Sequence, residues 1–567
     1  MYILGISAFY HDSAAALIRD GRVLYAAEEE RFTRIKHDNQ FPFSAATYCL
    51  KKAGLSINDV EYVTYYEKPL LKFERIFENF VQTYPFSFGP FLRGIPEWFG
   101  DKIKIERIIR KKLGHKHKLF FIPHHLSHAA ASFYPSSFEE SAILTADGVG
   151  EYQTTGLWKG ERNKITPLKL IEFPHSLGLL YSTFTSFLGF TVNEDEYKVM
   201  GLGAYGEPSY ADKIYQIIDV KDDGSFRMDM RFFAFRESFR MWSKKFEKLF
   251  GKPRLKDQPV TQRDKDLASS IQKVTEDIYL GMLNHLYHIT KCENVCIGGG
   301  VGLNALANGK IYQKTPFKNA YVFGAAGDSG GAIGSALFAH HSILHNETRH
   351  VISSLCFGSD YANEEIEAVL KKFGVEYIQI RGEDELTKQV AHYLAQNKIV
   401  GWFQGKMEFG PRALGSRSIL AKPNPYTMKE EVNKVKIREQ FRPFAGSILQ
   451  DRVHEYFKVP ESNHPSPFMT FCFKVREEKR DTIAAIVHKD DTCRIQTVNE
   501  DNGLYYKLLK RFYEITGVPC VLNTSFNLRG EPIVENPAQA IQDFLKTEMD
   551  YLVIGNFLVA KPMDTTP

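Results

Sequence analysis

Two histidines stand four residues apart in the segment PHHLSHAAASF, where the pattern predicts the start of a helix. Residues at i and i+4 lie on one face of a helix, so His124 and His128 could bind the same cation. The alternative is a pair of helix histidines whose nitrogens are satisfied by ordinary hydrogen bonds. Further metal-binding residues elsewhere in the chain would favour a metal site over this alternative.

Two acidic residues are candidates for these further ligands. Asp147 in TADGVGE and Asp328 in AAGDSGGA each follow an apolar strand pattern and stand in a glycine-rich turn. In an open α/β sheet, ligands bind outside the carboxyl ends of the strands. A set of two histidines and two aspartates with open coordination positions suits Fe(II), Mn(II) or Zn(II) better than calcium.

A glycine cluster stands between these acidic turns. Gly298, Gly299, Gly300 and Gly302 precede Asn304 and a predicted helix, so that backbone N–H groups could face a phosphate. Tight turns would explain such a cluster equally well. Together with GDSGGA at the end of the next strand, the cluster favours a nucleotide cleft.

The strands that must position these residues follow a repeated pattern. Residues 1–30 alternate strands and polar turns in a small antiparallel meander, and a similar pattern returns from residue 141. A repeat of about 140 residues built from strand–turn–strand units predicts a duplicated α/β fold of the actin-like, sugar-kinase-like type.

Length and composition predict a globular protein of more than one domain. At 567 residues the chain exceeds one hydrophobic core, and a change of pattern within residues 340–359 predicts domains 1–348 and 349–567. The net charge of +4 gives no electrostatic case for a nucleic-acid or membrane partner. Seven scattered cysteines and the lack of a signal-peptide pattern predict a cytoplasmic protein.

Two stretches, residues 72–100 and 231–250, are rich in Phe and contain Trp98 and Trp242. They are typical of helices that pack on the core or form a homodimer contact. The alternative is an aromatic wall for a substrate.

Residues 102–118 form a basic run on a predicted helix. We expect this run to be a face of the helix that is exposed to solvent.

Longer motifs extend this pattern over nearly the whole chain. The first part contains GISAFYHDSAAAL, EEERFTRIKH, HHLSHAAASF, DGVGE, EYKVMGLGAYG, GGGVGLNALANG and GDSGGA, and the second contains MEFGPRALGSRSILA, VKIREQFRPFA and LNTSFNLRGEPIV. In this order they resemble the nodulation-factor and antibiotic O-carbamoyltransferases. The first part also resembles the metal-containing transferase of tRNA threonylcarbamoylation, and the second resembles the YrdC-like α/β domain of that pathway.

The resemblance implies two reactions. Carbamoyl phosphate and ATP would form carbamoyl adenylate in the C-terminal domain, and a hydroxyl group of a small molecule would receive the carbamoyl group in the N-terminal domain. That acceptor would be a sugar, a nodulation factor, an antibiotic or another secondary metabolite. The expected cofactors are one divalent ion, Fe(II) before Mn, Zn or Mg, with ATP and carbamoyl phosphate as cosubstrates and Mg bound to the ATP.

The resemblance also assigns roles to residues of the N-terminal domain. His11, beside Asp12, would take the proton from the acceptor hydroxyl, although a histidine in a turn can also be structural. Asp229 would contact the acceptor. The metal ligands would be His124, His128, Asp147 and Asp328, and the nucleotide would be contacted by Lys36, Gly300 and Asn304 together with His128 and Asp147.

In the C-terminal domain the implied site is rich in cations, because polyanions need fixed donors. Carbamoyl phosphate would be held by Arg412, Arg442 and Asn523, and ATP by Lys436, Arg494 and Ser525, with Lys436 also catalytic. Arg417 and Arg438 stand in the same motifs as further donors. The alternative for any single arginine is a surface ion pair.

Two other functions fit parts of the pattern. A tRNA-modifying transferase would use the basic run at residues 102–118 and would bind RNA with a steep salt dependence, but the nearly neutral net charge speaks against it. A non-catalytic nucleotide sensor would share the actin-like scaffold alone. The intact set of metal-binding residues and arginines speaks against a sensor.

Overall fold

The protein forms two compact units in the computed structural model, which describes residues 1–97 and 102–561. The first unit comprises Met1–Glu29 and His37–Ile352, and the second comprises Glu30–Lys36 and the chain from Ser353. The units divide after Ile352, close to the domain boundary that we expected after residue 348. The assignment of Glu30–Lys36 to the second unit was not predicted. Trp98 lies outside the described residues.

Two five-stranded sheets form the centre of the first unit. The strands are β1 (Tyr2–Ser7), β2 (Ala14–Arg19), β3 (Arg22–Glu28), β4 (Tyr62–Tyr65), β5 (Lys118–Phe121), β6 (Glu140–Ala146), β7 (Gln153–Glu161), β8 (Lys164–Glu172), β9 (Ile218–Val220), β10 (Phe226–Met228), β11 (Asn294–Gly298) and β12 (Asn319–Val322). The sheet orders are β3-β2-β1-β4-β5 and β12-β11-β6-β7-β8, and β9 and β10 form a separate hairpin.

Both sheets have the same topology. β1 pairs antiparallel with β2 and parallel with β4, just as β6 pairs antiparallel with β7 and parallel with β11. This repetition confirms the duplicated actin-like fold that the sequence pattern predicted. The loops after β1, β6, β11 and β12 begin at the carboxyl ends of strands, where the candidate ligands stand.

Helices connect the strands of the first unit. In chain order the helices up to Ile352 are α1 (Glu30–Thr33, in the second unit), α2 (Phe43–Lys52), α3 (Pro69–Thr83), α4 (Phe88–Glu97), α5 (Ile105–Leu113), α6 (His124–Phe133), α7 (Leu177–Phe187), α8 (Glu196–Gly203), α9 (Ala211–Tyr215), α10 (Lys244–Phe250), α11 (Gln262–Thr290), α12 (Ala305–Gly309), α13 (Ile311–Lys314) and α14 (Gly330–Phe338). A Cβ on Gly334 of α14 would lie 1.9 Å from the carbonyl oxygen of Ser127 in α6. Glycine therefore lets α14 pack directly against the helix that carries the histidine pair.

The second unit is built on one mixed sheet, which confirms the α/β class of the chain. Its strands are β13 (Ile378–Gln379), β14 (Val400–Phe403), β15 (Arg417–Ala421), β16 (Ala445–Leu449), β17 (Phe471–Lys474), β18 (Thr492–Val498), β19 (Cys520–Ser525), β20 (Tyr551–Ile554) and β21 (Phe557–Ala560). The order is β13-β21-β20-β14-β15-β19-β16-β18-β17. The remaining helices are α15 (Asn363–Phe373), α16 (Glu383–Ala395), α17 (Thr427–Val435), α18 (Val453–Tyr456), α19 (Leu504–Thr516) and α20 (Pro537–Lys546).

The segment Glu30–Lys36 is held in the second unit by two arginines. Arg31 donates to the carbonyl oxygen of Gly410 at 2.7 Å. Arg34 donates to the carbonyl oxygens of Pro532 and Ile533 at 2.9 and 2.7 Å. These bonds satisfy carbonyl groups of loops that carry the motifs GPRALGSRS and NLRGEPIV, so the segment is part of the second unit's structure.

Replacing Arg34 with methionine in the full chain is expected to lower the free energy of unfolding of the second unit by about 2 kcal/mol, because two carbonyl groups lose charged donors. Urea denaturation with a probe in the second unit measures this change. Arg381→Met, at an exposed position of the same unit, is the control and should change the free energy by less than about 0.5 kcal/mol. Equal stability of the two variants would contradict the role of the segment.

Candidate metal centre and phosphate-binding cluster

The histidine pair lies at the start of α6 and is almost completely buried, with 1% of each residue exposed. The first backbone N–H groups of a helix need acceptors. Glu151 provides one, because its two carboxylate oxygens lie 3.0 and 3.1 Å from the donating N–H nitrogen of His124. This carboxylate fixes the helix start and thereby the position of both imidazoles.

Asp147 and Asp328 converge on the same point as the two imidazoles. Oδ2 of Asp147 lies 2.9 Å from Nε2 of His124 and 3.0 Å from Nε2 of His128. Oδ1 of Asp328 lies 3.7 and 3.5 Å from these nitrogens. The structure thus brings together the four residues that the sequence predicted as a metal site.

The donor set fits a divalent metal ion. One ligand atom from each of the four residues lies within 4.8 Å of the other three. Two nitrogens bound to one ion at about 2.1 Å and at a right angle would be about 3.0 Å apart, and the two Nε2 atoms are separated by 3.0 Å. Within the described residues, neither Nδ1 atom has a hydrogen-bond partner. The polar interactions of both rings are therefore directed to the centre of the cluster.

The charges of the cluster suit cation binding. Burial raises the pKa of Asp147, but hydrogen bonds from His124 and His128 outweigh burial and hold this pKa well below its ordinary value. The pKa of Asp328 is also lowered, because the charges of His11 and His124 outweigh burial. Burial lowers the pKa of His128, whereas its hydrogen bonds to Asp147 and Asp328 raise it to about 9. Both carboxylates are ionised at neutral pH, and a cation would displace the imidazolium proton.

His11 and Asp12 lie in the turn after β1, beside this cluster. Nε2 of His11 is 3.9 Å from Oδ2 of Asp328, and Nδ1 is 2.9 Å from Oδ2 of Asp12. Asp12 also lies 2.6 Å from Nδ1 of His37 and has a positive φ of 52°, a conformation that costs less for Asp than for most residues. Burial lowers the pKa of His11, but the carboxylates of Asp328 and Asp12 raise it to about 10.

The glycine cluster after β11 has a packing role besides any ligand contact. A Cβ on Gly298 would lie 2.6 Å from the carbonyl oxygen of His128, so this strand end approaches α6 directly. The backbone N–H of Gly300 lies 3.4 Å from Oδ1 of Asp147. Asn304 caps α12 by accepting from the N–H of Ala307 at 3.1 Å, and its amide also pairs with Gln272.

Asp229 lies in the segment between β10 and a short 3-10 helix. Its carboxylate forms an ion pair with Arg231 and accepts from the N–H of the same residue at 3.1 Å. The preceding residue, Met228, donates its N–H to Nδ1 of His175 at 3.1 Å. Ser176 in turn donates to the carbonyl oxygen of Asp147 at 3.0 Å. These contacts link the segment of Asp229 to the loop that carries Asp147.

In the second unit, Lys436 lies at the end of α17 and is buried against the NTSFN loop. Its Nζ donates to Oδ1 and to the carbonyl oxygen of Asn527 at 2.9 and 3.0 Å, and to the carbonyl oxygen of Ser525. Burial lowers the pKa of Lys436 well below its ordinary value, and the charges of Arg438, Arg442 and Lys36 lower it further. Lys36, which was expected at the nucleotide of the N-terminal domain, belongs to this second unit.

Strand register aligns two more of the predicted residues. Ala445 of β16 pairs with Arg494 of β18 on one side and with Asn523 of β19 on the other. Residues that pair across a sheet share a face. The small side chain of Ala445 therefore lies between the guanidinium of Arg494 and the amide of Asn523. Oδ1 of Asn523 is buried and has no hydrogen-bond partner within the described part of the chain.

Arg412 and Arg442 also lie in this neighbourhood. Burial raises the pKa of Cys472, whereas the charges of Arg494 and Arg412 lower it, which places both cations near one thiol. Burial lowers the pKa of Arg494, and the charge of Arg442 lowers it further. The cluster of cations, defined as Lys36, Arg412, Lys436, Arg438, Arg442 and Arg494, is concentrated at one place in the second unit.

Arg417 does not belong to this cluster, contrary to our expectation. The side chain is fully buried, its guanidinium donates to the carbonyl oxygens of Gln404 and Ser359, both at 2.9 Å, and it stacks on Phe403 at 3.6 Å. The side chain of Arg417 connects these loops, because its N–H groups donate to their backbone carbonyl oxygens. Arg412 lies in the loop before β15 and Arg417 begins that strand, so two arginines of one motif have different surroundings.

Comparison with known proteins agrees with this geometry. The family model "Carbamoyltransferase N-terminus" matches residues 2–337, and the model "Carbamoyltransferase C-terminus" matches residues 391–561. The chain belongs to the carbamoyltransferase family. It is therefore a transferase enzyme, and the alternative of a non-catalytic sensor is not supported.

Two relatives of this carbamoyltransferase match over nearly all of its length. It is 46% identical to the uncharacterized protein sll1178 of Synechocystis, over 99% of this chain and 97% of that one. It is 37% identical to nodulation protein NolNO of Sinorhizobium fredii, over 98% of this chain and 80% of that one. A solved dehydratase component A from Acidaminococcus fermentans covers 61% of this chain and 99% of its own, with 13% identity and a TM-score of 0.33.

Sequence reasoning missed three positioning residues of this carbamoyltransferase. Glu151 anchors α6, and the hydroxyl group of Tyr66 lies 3.5 Å from Oδ2 of Asp328. Glu408 is buried and accepts from the N–H groups of Leu414 and Ser416, both at 2.7 Å. Two of the three are acids in the motifs DGVGE and MEFGPRALG. An acidic residue close in sequence to the candidate ligands was therefore the signal that could have identified them.

A search of the described residues finds no helix whose length and apolar character would let it span a membrane.

Proposed function

We propose that this carbamoyltransferase forms carbamoyl adenylate from carbamoyl phosphate and ATP and transfers the carbamoyl group to a hydroxyl group of a small molecule. Hydrolysis of carbamoyl phosphate releases phosphate and leaves carbamate. An oxygen of carbamate attacks the α-phosphorus of ATP, and pyrophosphate leaves. The observation that carries the proposal is the occurrence of a cation cluster in one unit and a two-His, two-Asp centre in the other.

The cation cluster of the second unit supports the first reaction. A buried amine whose pKa is lowered gains much when a phosphate arrives, because the new charge partner stabilises its protonated form. We assign carbamoyl phosphate to Arg412, Arg442 and Asn523, and ATP to Lys436, Arg494 and Ser525 together with Lys36. The unsatisfied Oδ1 of Asn523 is an acceptor that suits the NH₂ group of a carbamoyl moiety.

The two-His, two-Asp centre of the first unit supports the second reaction. We assign a divalent ion, Fe(II) before Mn, Zn or Mg, to His124, His128, Asp147 and Asp328. When bound, the ion would supply Lewis acidity toward the phosphate of the adenylate. The protein's own residues have positioning roles. Glu151 holds α6 in place, and we assign Gly300 and Asn304 to contact with the nucleotide, with Gly300 beside Asp147.

His11 is assigned as the base that accepts the proton of the acceptor hydroxyl. Its raised pKa of about 10 results from the charges of Asp328 and Asp12. A cation held by Asp328 would offset one of these charges and bring the pKa down toward neutrality, where imidazole is an effective base. Asp12 orients the ring through Nδ1, and Asp229 is assigned to the acceptor.

Incubation of the full-length protein with carbamoyl phosphate, ATP, Mg²⁺ and labelled pyrophosphate is expected to move label into ATP without any acceptor, because adenylate formation is reversible. Omitting carbamoyl phosphate is the control and should remove the exchange. No exchange by protein that retains its metal and its folded structure would contradict the proposed function.

A further inference from the structure

The helix α3 has an unusual distribution of side chains. It buries Lys72 and Arg75, with exposed fractions of 7% and 8%, and exposes Leu70 at 67% and Val81 at 58%. A surface helix of a globular protein normally buries its apolar side and exposes its charges. Because burying charge is costly, the inward side of α3 must face polar groups or a ligand.

Among the described residues, Lys72 has a counter-ion and Arg75 has none. Nζ of Lys72 lies 2.6 Å from Oε2 of Glu67. Within the described residues, Nε of Arg75 is buried without a hydrogen-bond partner. Its guanidinium stacks on Phe173, 5.0 Å from the ring centroid. Buried charges are normally paired, since an isolated one costs several kcal/mol.

The carboxylates near Arg75 are already engaged. Glu67 is paired with Lys72, and Glu151 accepts from the backbone N–H groups of His124 and Lys68, the latter at 2.7 Å. Burial lowers the pKa of Arg75 to about 10, and the charges of Glu67 and Glu151 only partly oppose this change. Arg75 is therefore protonated at neutral pH, and none of the described carboxylates forms an ion pair with it.

Arg75 lies on the metal-centre side of α3. Tyr10, next to His11, has the ammonium group of Lys72 over its ring at 4.9 Å. The pKa of Tyr10 is raised by burial and by the charges of Asp328 and Asp147, and lowered by the charge of Arg75. Tyr10 thus lies within the field of both the metal ligands and Arg75.

The second Phe-rich stretch, residues 231–250, also packs near Arg75. Nδ2 of Asn79 in α3 donates to the carbonyl oxygen of Arg236 at 2.8 Å, and Nε of Arg236 donates back to Oδ1 of Asn79 at 2.9 Å. Phe173, on which Arg75 stacks, also contacts Phe235 at 6.2 Å between ring centroids. The two aromatic stretches therefore meet around Arg75.

We infer that Arg75 is an anion-binding residue of the acceptor site, and that the acceptor carries a carboxylate, sulfate or phosphate group besides its reacting hydroxyl. A guanidinium offers paired donors that match these oxygen groups. The inference rests on the proposed function, because it takes the metal centre as the place of carbamoyl transfer. Arg75 is the residue that selects the acceptor by its charge.

A stability comparison separates a ligand-binding Arg75 from a structural one. Arg254 is the matched control: it is 9% exposed and stacks on Phe190 at 4.8 Å, but it donates to the carbonyl oxygens of Leu188 and Gln258, both at 2.6 Å. In the full chain, Arg254→Met is expected to lower Tm by about 5 °C, whereas Arg75→Met should change Tm by less than about 2 °C. A loss for Arg75→Met as large as that for Arg254→Met would overturn the inference.

Selenate is the probe for the anion site itself. Crystals of the full-length protein soaked in selenate should show an anomalous peak within about 4 Å of the guanidinium carbon of Arg75 in the wild type and none there in Arg75→Met. The lack of a peak in the wild type would refute the anion site. The pyrophosphate exchange of the wild type tests the proposed function and does not test the anion site. Failure of the proposed function can therefore be told apart from failure of the anion site.

Transfer of label to natural acceptors tests the charge of the acceptor. Wild-type protein given carbamoyl-labelled carbamoyl phosphate, ATP and a metabolite extract is expected to form labelled compounds that are absent when the extract is omitted and that an anion-exchange resin retains at neutral pH. If all extract-dependent labelled compounds pass through the resin, the assignment of an anionic acceptor is overturned.

Discussion

Replacing His128 with asparagine is expected to abolish binding of the divalent ion and to lower carbamoyl transfer by about 10³-fold. Asparagine has no donor atom at the position of Nε2, the atom that lies 3.0 Å from both Asp147 and His124. A bound cation that stabilises developing charge contributes several kcal/mol, and each 1.36 kcal/mol is about tenfold in rate. Metal content after dialysis and product formation measure the two effects.

The neighbouring histidine supplies a matched control. His125 is equally buried, but its Nδ1 lies 2.9 Å from Oγ1 of Thr145 and the residue does not join the metal cluster. Asparagine places a polar atom near the position of Nδ1, so His125→Asn should retain the metal and keep transfer within about threefold. Pyrophosphate exchange should persist in both variants, because adenylate formation is assigned to the second unit. A His128→Asn variant with full metal content and full transfer would contradict the metal centre.

Replacing Lys436 with methionine is expected to lower pyrophosphate exchange by about 10²–10³-fold, the usual effect of removing a positioned charge from a reacting phosphate. The ammonium group also holds the NTSFN loop through Asn527, so the loss combines missing charge with a displaced loop. Exchange rates at saturating ATP measure the effect.

Lys434→Met is the control for this variant. Lys434 lies on the same helix but is 70% exposed, and its partner Glu548 is 67% exposed. Exposed ion pairs contribute little, so the exchange rate should stay near the wild-type value. Equal exchange by Lys436→Met and Lys434→Met would show that the buried amine does not act on ATP.

Several features of the site were predictable because they depend on local pattern. The spacing of His124 and His128 follows from the period of a helix, and the acids of the two glycine-rich turns follow from strand ends that precede them. The similar strand patterns near residues 1 and 141 were sufficient to predict the duplicated sheets, and the observed strand pairing confirms them.

Other features could not be read from local pattern, because they depend on partners far apart in the chain. Arg34 bonds carbonyl groups 498 and 499 residues away, so its place in the second unit has no local signal. Arg417 and Arg412 stand in one motif, but only packing shows that backbone carbonyls use the donors of Arg417.

By itself, the sequence determined the α/β class, the duplication and the family, and it predicted the four residues of the candidate metal centre, because periodicity and motif spacing are properties of the chain. The tertiary structure decided how closely those four residues converge, which arginine donates to backbone carbonyls, and which buried cation has no ion-pair partner among the described residues. Burial and pairing depend on what packs against a side chain. That is why Arg75, an ordinary helix residue in the sequence, stands out only in the folded protein.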